Sequence, residues 1–119
     1  MSKFIFVLVL SLLSSVAFCK NLKQAKVMPI IFSSNFSKTY TQVLICINEE
    51  FDGYLGDGRM RATVYPDFTQ YSIGAMQFDS FSHHYLINLT HSSISIQAQG
   101  DTFFPMNTAE VIDKVKSCI

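Results

Sequence analysis

From Arg59 onward, apolar and polar residues take turns along the chain. The stretches "RMRATVY" (59–65), "QYSIGAMQF" (70–78), "HYLINLT" (84–90) and "SISIQAQ" (93–99) each alternate. Side chains on a strand point alternately to its two sides, so alternation of this length predicts strands with one buried face. Between them, "PDFT" (66–69), "DSFSH" (79–83) and the residues after His91 read as connections, the first led by Pro66. Closing the first hairpin pairs Val64 with Tyr71, Ala62 with Ile73 and Met60 with Ala75. The second pairs Ala75 with Ile87 and Ile73 with Leu89, and the third pairs Leu89 with Ile96 and Ile87 with Ala98. Apolar residues thus meet apolar residues across four strands. Arg61, Gly74, Asn88 and Gln97 gather in one row of the opposite face, with Thr63, Ser72, Thr90 and Ser95 in the next. A slip of one residue would exchange the faces, so this agreement predicts an antiparallel meander.

The segments on either side extend this frame. "VMPIIF" (27–32) is apolar, but Pro29 confines it to an edge or a crossing segment. "YTQVLICIN" (40–48) is rich in β-branched residues and apolar at both parities from Val43 to Ile47. It therefore reads as a central strand covered on both faces, with Val27 to Phe32 covering Val43, Ile45 and Ile47. "SSNFSK" (33–38) and "EEFDGYLGDG" (49–58) read as loops. "PMNTAEVIDKVKSCI" (105–119) reads as a helix. Asn107 is a good N-cap with Glu110 three residues on. Val111, Ile112, Val115, Cys118 and Ile119 form one stripe at helical spacing, and Lys114 and Lys116 sit where the helix dipole favours cations. The fold class expected is α+β: a four- to five-stranded antiparallel β-meander with a C-terminal α-helix packed on one face. A small β-barrel or sandwich, with the helix plugging one end, is the alternative.

The first nineteen residues do not belong to this pattern. Lys3, the apolar run "FIFVLVLSLLSSVAF", and Ala17 and Cys19 ahead of Lys20 make up the charged, apolar and small-residue parts of a secretory signal. The run is short for a membrane span, which takes about 20 apolar residues. The expectation is a cleaved signal over 1–19 and a single exported domain over 20–119, with no stable membrane anchor after cleavage. Such a length supports one core but not two. Cys46 and Cys118 then remain, and an even count in a small exported domain suggests a disulfide. Both patterns above place them on one side of the sheet.

Composition narrows the function more by exclusion than by indication. Losing Lys3 with the leader leaves eight of the nine basic residues against nine acidic ones, interspersed along the chain. No basic footprint for nucleic acid or anionic lipid results. Three histidines lie close together in sequence, but His83 and His91 would stand about 26 Å apart along an extended chain, and no Cys, Asp or Glu falls at a ligand spacing beside them. No metal or cofactor is expected. No G-x-S-x-G motif is present, and the apolar surroundings of Cys46 disfavour a thiolate. Arg59, Arg61 and His84, with Glu49, Glu50 and Asp57 nearby, are the residue types of a small secreted hydrolase or nuclease, although no motif fixes their geometry. Phe51, Tyr54 and Leu55, on a glycine-rich loop, and Phe103 and Phe104 are the candidate binding residues. "NFS" at Asn35 and "NLT" at Asn88 match the glycosylation acceptor, with Asn35 the better placed. The expectation is a secreted or periplasmic non-enzymatic domain that binds a partner protein or an apolar small ligand, the hydrolase being the alternative.

Overall fold

The computed structural model describes residues 21–100 and 105–119. The expected leader, 1–19, and the two aromatic residues Phe103 and Phe104 lie outside them. Five strands form one antiparallel sheet: β1 (Ile30–Asn35), β2 (Met60–Val64), β3 (Thr69–Gln77), β4 (Ser80–Leu89) and β5 (Ser93–Ala98), in the order β1-β5-β4-β3-β2. The sheet is not closed into a barrel. Among the described residues four helices flank it: α1 (Leu22–Ala25), α2 (Tyr40–Glu50), α3 (Asp52–Gly56) and α4 (Thr108–Lys116). The α+β class and the β2-to-β5 meander are as the alternation predicts, and β1 joins as an edge strand beside β5.

One face of the sheet carries the main core. Tyr71, Ile73, Tyr85, Ile87, Leu89, Ile94 and Ile96 are fully or almost fully buried there against Val43 and Ile47 of α2, Phe51 after it, and Val111 and Val115 of α4. Burying one large apolar side chain is worth about 1.5–3 kcal/mol, so this layer is the main source of stability. The opposite face is mostly polar but not bare. Ala25 and Met28 pack on Leu86 of β4, and Gln97 Nε2 donates to the carbonyls of Lys26 and Met28, both at 2.9 Å.

The segment 40–48 is a helix, not the central strand its composition suggests. Thr39 and Gln42 close a capping box: Gln42 N–H donates to Thr39 Oγ1 at 3.2 Å and Thr39 N–H to Gln42 Oε1 at 3.1 Å. Tyr40, Val43, Leu44, Ile47 and Phe51 then share the face turned to the sheet. Ile45 is left 51% exposed, so the run of apolar residues at both parities is not a strand buried on two sides. Of Val27 to Phe32, Ile31 and Phe32 pack against the core that holds Val43 and Ile47, but they do so as part of β1, alongside the other strands of the sheet. The expected loops are shorter as well. β1 extends to Asn35, and residues 52–56 form α3.

Cys46 on α2 and Cys118, just past α4, are joined by a disulfide with Cα atoms 5.5 Å apart. The bond ties together the two helices that cover the core. α4 begins as expected, with Glu110 N–H donating to Asn107 Oδ1 at 2.8 Å.

All three hairpins are tighter than the sequence suggests. Ala62 pairs with Tyr71, Ile73 with Tyr85, and Leu89 with Ile94. Each of these pairings differs from the expected one by an even number of positions, so the inward-facing residues it names stay inward, while His84 loses its expected place. In β3–β4 this depends on a bulge. Residues 79–83 are not a loop: Phe78 and Asp79 alone make the turn, and Gln77 pairs with Ser80. Continued without interruption, that register would set His84 opposite Ile73. Instead Gly74 pairs with His83 and Ile73 with Tyr85, leaving His84 as the extra residue and returning Tyr85 to the core.

Candidate functional site

The predicted binding residues separate. Phe51 is fully buried and belongs to the core between α2 and the sheet. Tyr54 and Leu55, on α3, are partly buried against the same core. Tyr54 presents its ring to Arg59, whose guanidinium carbon lies 4.0 Å from the ring centroid. The apolar side of this glycine-rich segment is therefore largely used in packing.

The acid–base set also divides. Arg59 is held by Asp57 at 2.5 Å, and this hydrogen bond keeps the Asp57 carboxyl below its usual range and raises Arg59. Glu50 faces Lys114 at 3.8 Å, at the end of α4. Arg61 lies over the ring of Phe81, 4.2 Å from its centroid, with Nη2 3.4 Å from Met76 Sδ. His83, rather than His84, joins this group. Its Nδ1 contacts Ser72 Oγ, and its ring meets Phe81 edge-on at 4.8 Å. Burial, then the charge of Arg61, then His84 hold the His83 pKa below its usual value. The bulge produces this exchange: as the residue opposite Gly74, His83 takes the polar face beside Ser72. Among the described residues no group of three His, Cys, Asp or Glu side chains could hold a metal ion.

The polar face carries a side-chain chain of its own. Gln70 Nε2 donates to Asn88 Oδ1, and Asn88 Nδ2 donates to Gln97 Oε1, both at 2.8 Å. Asn88 is committed at both ends of its amide, whereas Asn35 is exposed at the end of β1. Beside Asn35, a shallow hydroxyl-lined depression of about 400 Å³ runs along Ser33, Ser34, Ser93 and Ser95.

The feature that sequence reasoning missed is the end of the β3–β4 hairpin. β2 pairs with β3 only as far as Ile73, and β5 pairs with β4 only as far as Tyr85. From Ala75 to Ser82 the ribbon has no strand on either side among the described residues. At its apex Phe78 is 96% exposed, and Met76 is 56% exposed nearby. Phe78 (φ 50°) and Asp79 (φ 66°) both adopt left-handed backbone. A two-residue turn with both central residues at positive φ favours Asn-Gly or Asp-Gly. Asp tolerates that conformation, but a bulky residue there is an outlier, at a cost of roughly 1–2 kcal/mol. The available signal was the polar–apolar alternation continuing through Phe81 and His83, which a loop would not need to keep.

Comparison of the chain with protein-family models, curated proteins and solved structures returned no match.

Proposed function

We propose that this protein is a small exported, non-enzymatic interaction module that holds a partner protein through the projecting β3–β4 ribbon, with Phe78 as the anchor. The observation that carries this reading is an aromatic side chain almost wholly in water on strained backbone. Folding gains nothing from that arrangement. Strain retained at an exposed apex points to a role in contact, and aromatic residues are the usual anchors of interfaces. The large side chains that fill the layer between the sheet and α2 and α4 favour a protein partner over an apolar small ligand. The hydrolase alternative has less support, because Arg59, Glu50 and Arg61 are engaged by Asp57, Lys114 and Phe81. Export accords with the leader-like N-terminus and with the Cys46–Cys118 bond, which persists in oxidising compartments. Among the described residues no helix is long and apolar enough to cross a membrane.

The test is site-specific photo-crosslinking in the native host, with benzoylphenylalanine at Phe78 and, as control, at Ile45. A discrete adduct from position 78 alone is expected. The double variant Phe78→Asn, Asp79→Gly, which supplies the preferred turn, should gain stability and compete poorly for that partner. Equal adducts at both positions, or none at 78, would refute the reading.

A further inference from the structure

Among the described residues no strand pairs with the outer edge of β2, and we propose that a second copy of this chain adds its own β2 there, antiparallel, about a two-fold axis at Ala62. This inference does not depend on the Phe78 reading. The direction of the free backbone groups follows from the ladder. Gly74 N–H donates to the Arg59 carbonyl and Tyr65 N–H to the Phe68 carbonyl, both at 2.8 Å. Hydrogen-bonded and non-bonded positions alternate in an antiparallel pair. Arg61 and Thr63 therefore turn their backbone groups to β3, and Ala62 and Val64 turn theirs outward. Ala62 is exposed, and the Val64 side chain is 78% exposed.

Natural sheets blunt such edges with proline, lysine, bulges or a covering segment. The opposite edge shows two of these devices: Pro29 stands just before β1, and Ile31 forms a bulge between Ile30 and Phe32. β2 has no proline, lysine or bulge. Its flanking charges are folded back onto their own subunit, Arg59 onto Asp57 and Tyr54, and Arg61 onto Phe81 and Met76. The row is also self-complementary. A two-fold at Ala62 sets Ala62 against Ala62 of the second copy, Val64 against Met60, and Arg61 against Thr63, so no like charges stand directly opposite. The full chain carries a formal net charge of zero and the domain without Lys3 only one negative charge, so general repulsion opposes the pairing little. Five residues a side bury less than the roughly 1,200 Å² of a standard interface, so the dimer is weak and concentration-dependent.

Analytical ultracentrifugation of the purified, oxidised protein, up to about 1 mM, the weak end of the affinity scale, should show a reversible monomer–dimer equilibrium. Hydrogen exchange followed by NMR should show the Ala62 and Val64 amides becoming protected as concentration rises. Ala62→Pro removes an outward N–H that the monomer does not use, and Val64→Lys places a charge on the edge. Each should abolish the dimer, so the second variant serves if the first fails to fold. The Phe78→Asn, Asp79→Gly variant should dimerise normally, which separates this outcome from that of the ribbon. A monomer at every concentration overturns the proposal. So does a dimer that survives both edge variants or leaves the Ala62 and Val64 amides unprotected.

Discussion

Replacing Gly74 by alanine should be among the most damaging single-methyl additions in this protein. A Cβ built on Gly74 would lie 1.8 Å from the Ser82 carbonyl oxygen, 2.9 Å from its carbon and 3.0 Å from Phe81 Cε1. Carbon and oxygen approach comfortably at about 3.3 Å, so a displacement of more than 1 Å is required. No rotamer change can supply it, because the nearest atoms are β4 backbone, held by the Ile73–Tyr85 pair on one side and the Ala75–Ser82 pair on the other. Overpacking of this kind costs about 1–3 kcal/mol, and each ladder hydrogen bond given up adds about 1 kcal/mol. The gain from a stiffer unfolded chain, about 0.4–1 kcal/mol, does not reverse the sign. A net loss of roughly 3 kcal/mol is expected, which for a domain of this size lowers Tm by roughly 12–24 °C. Urea unfolding followed by circular dichroism measures it. Gly53→Ala and Gly56→Ala are the internal controls, since a Cβ at either meets nothing within 4 Å. Both lie in α3, where alanine should be neutral or stabilising. If Gly74→Ala unfolded within 1 kcal/mol of the native protein, the tight approach of β3 to β4 at the bulge, and the register drawn from it, would be wrong.

Other outcomes follow from the same structure. The double variant Cys46→Ser, Cys118→Ser releases a loop spanning a sequence separation of 72 and should lose about 4 kcal/mol on the chain-entropy account, read as a drop in urea midpoint with a larger m, since the unfolded chain without the cross-link exposes more surface. Thr39→Ala removes the α2 cap and should cost about 1 kcal/mol, with the loss visible in Tm. Tyr71 donates to Asn48 Oδ1 at 2.8 Å, and burial, then Tyr40, push its pKa up to about 12. Its contribution is therefore complete below about pH 10 and lost as pH rises from there towards 12. A phenolate titration at 295 nm should lose a late-ionising step in Tyr71→Phe. The His83 pKa is depressed, so stability should fall as pH drops through the unfolded value near 6.5, and His83→Gln should flatten that part of the profile in thermal melts.

Face was legible in the sequence where register was not. Ile73, Ile87 and Ile96 point inward because alternation has a period of two and any even slip preserves it. Register is hidden because the connections are shorter than their composition suggests, above all 79–83, where a turn of Phe78 and Asp79 lacks the usual Asn-Gly signature. The bulge at His84 could be read only once that turn was known. α2 was hidden for another reason. Val43, Ile45 and Ile47 satisfy a strand pattern, while Tyr40, Val43, Leu44, Ile47 and Phe51 satisfy a helical one, and β-branched composition favoured the strand. The Thr39–Gln42 box was the local signal that decided for the helix. Cys46 reaches the side where α4 packs whether 40–48 is a strand or a helix, so the pairing is legible either way. Candidate contacts were the least legible, since Phe51 resembles an exposed loop aromatic in sequence and is a core residue in the fold.

The staple between Cys46 and Cys118 also imposes a sequence of events on biogenesis. Four of the five strands lie between the two sulfurs in chain order. During synthesis Cys46 emerges long before its mate, as a thiol with no correct partner. Oxidation can only record a meander that has already assembled. A cell making this protein therefore gains from holding that thiol reduced, or from an isomerase, until α4 arrives.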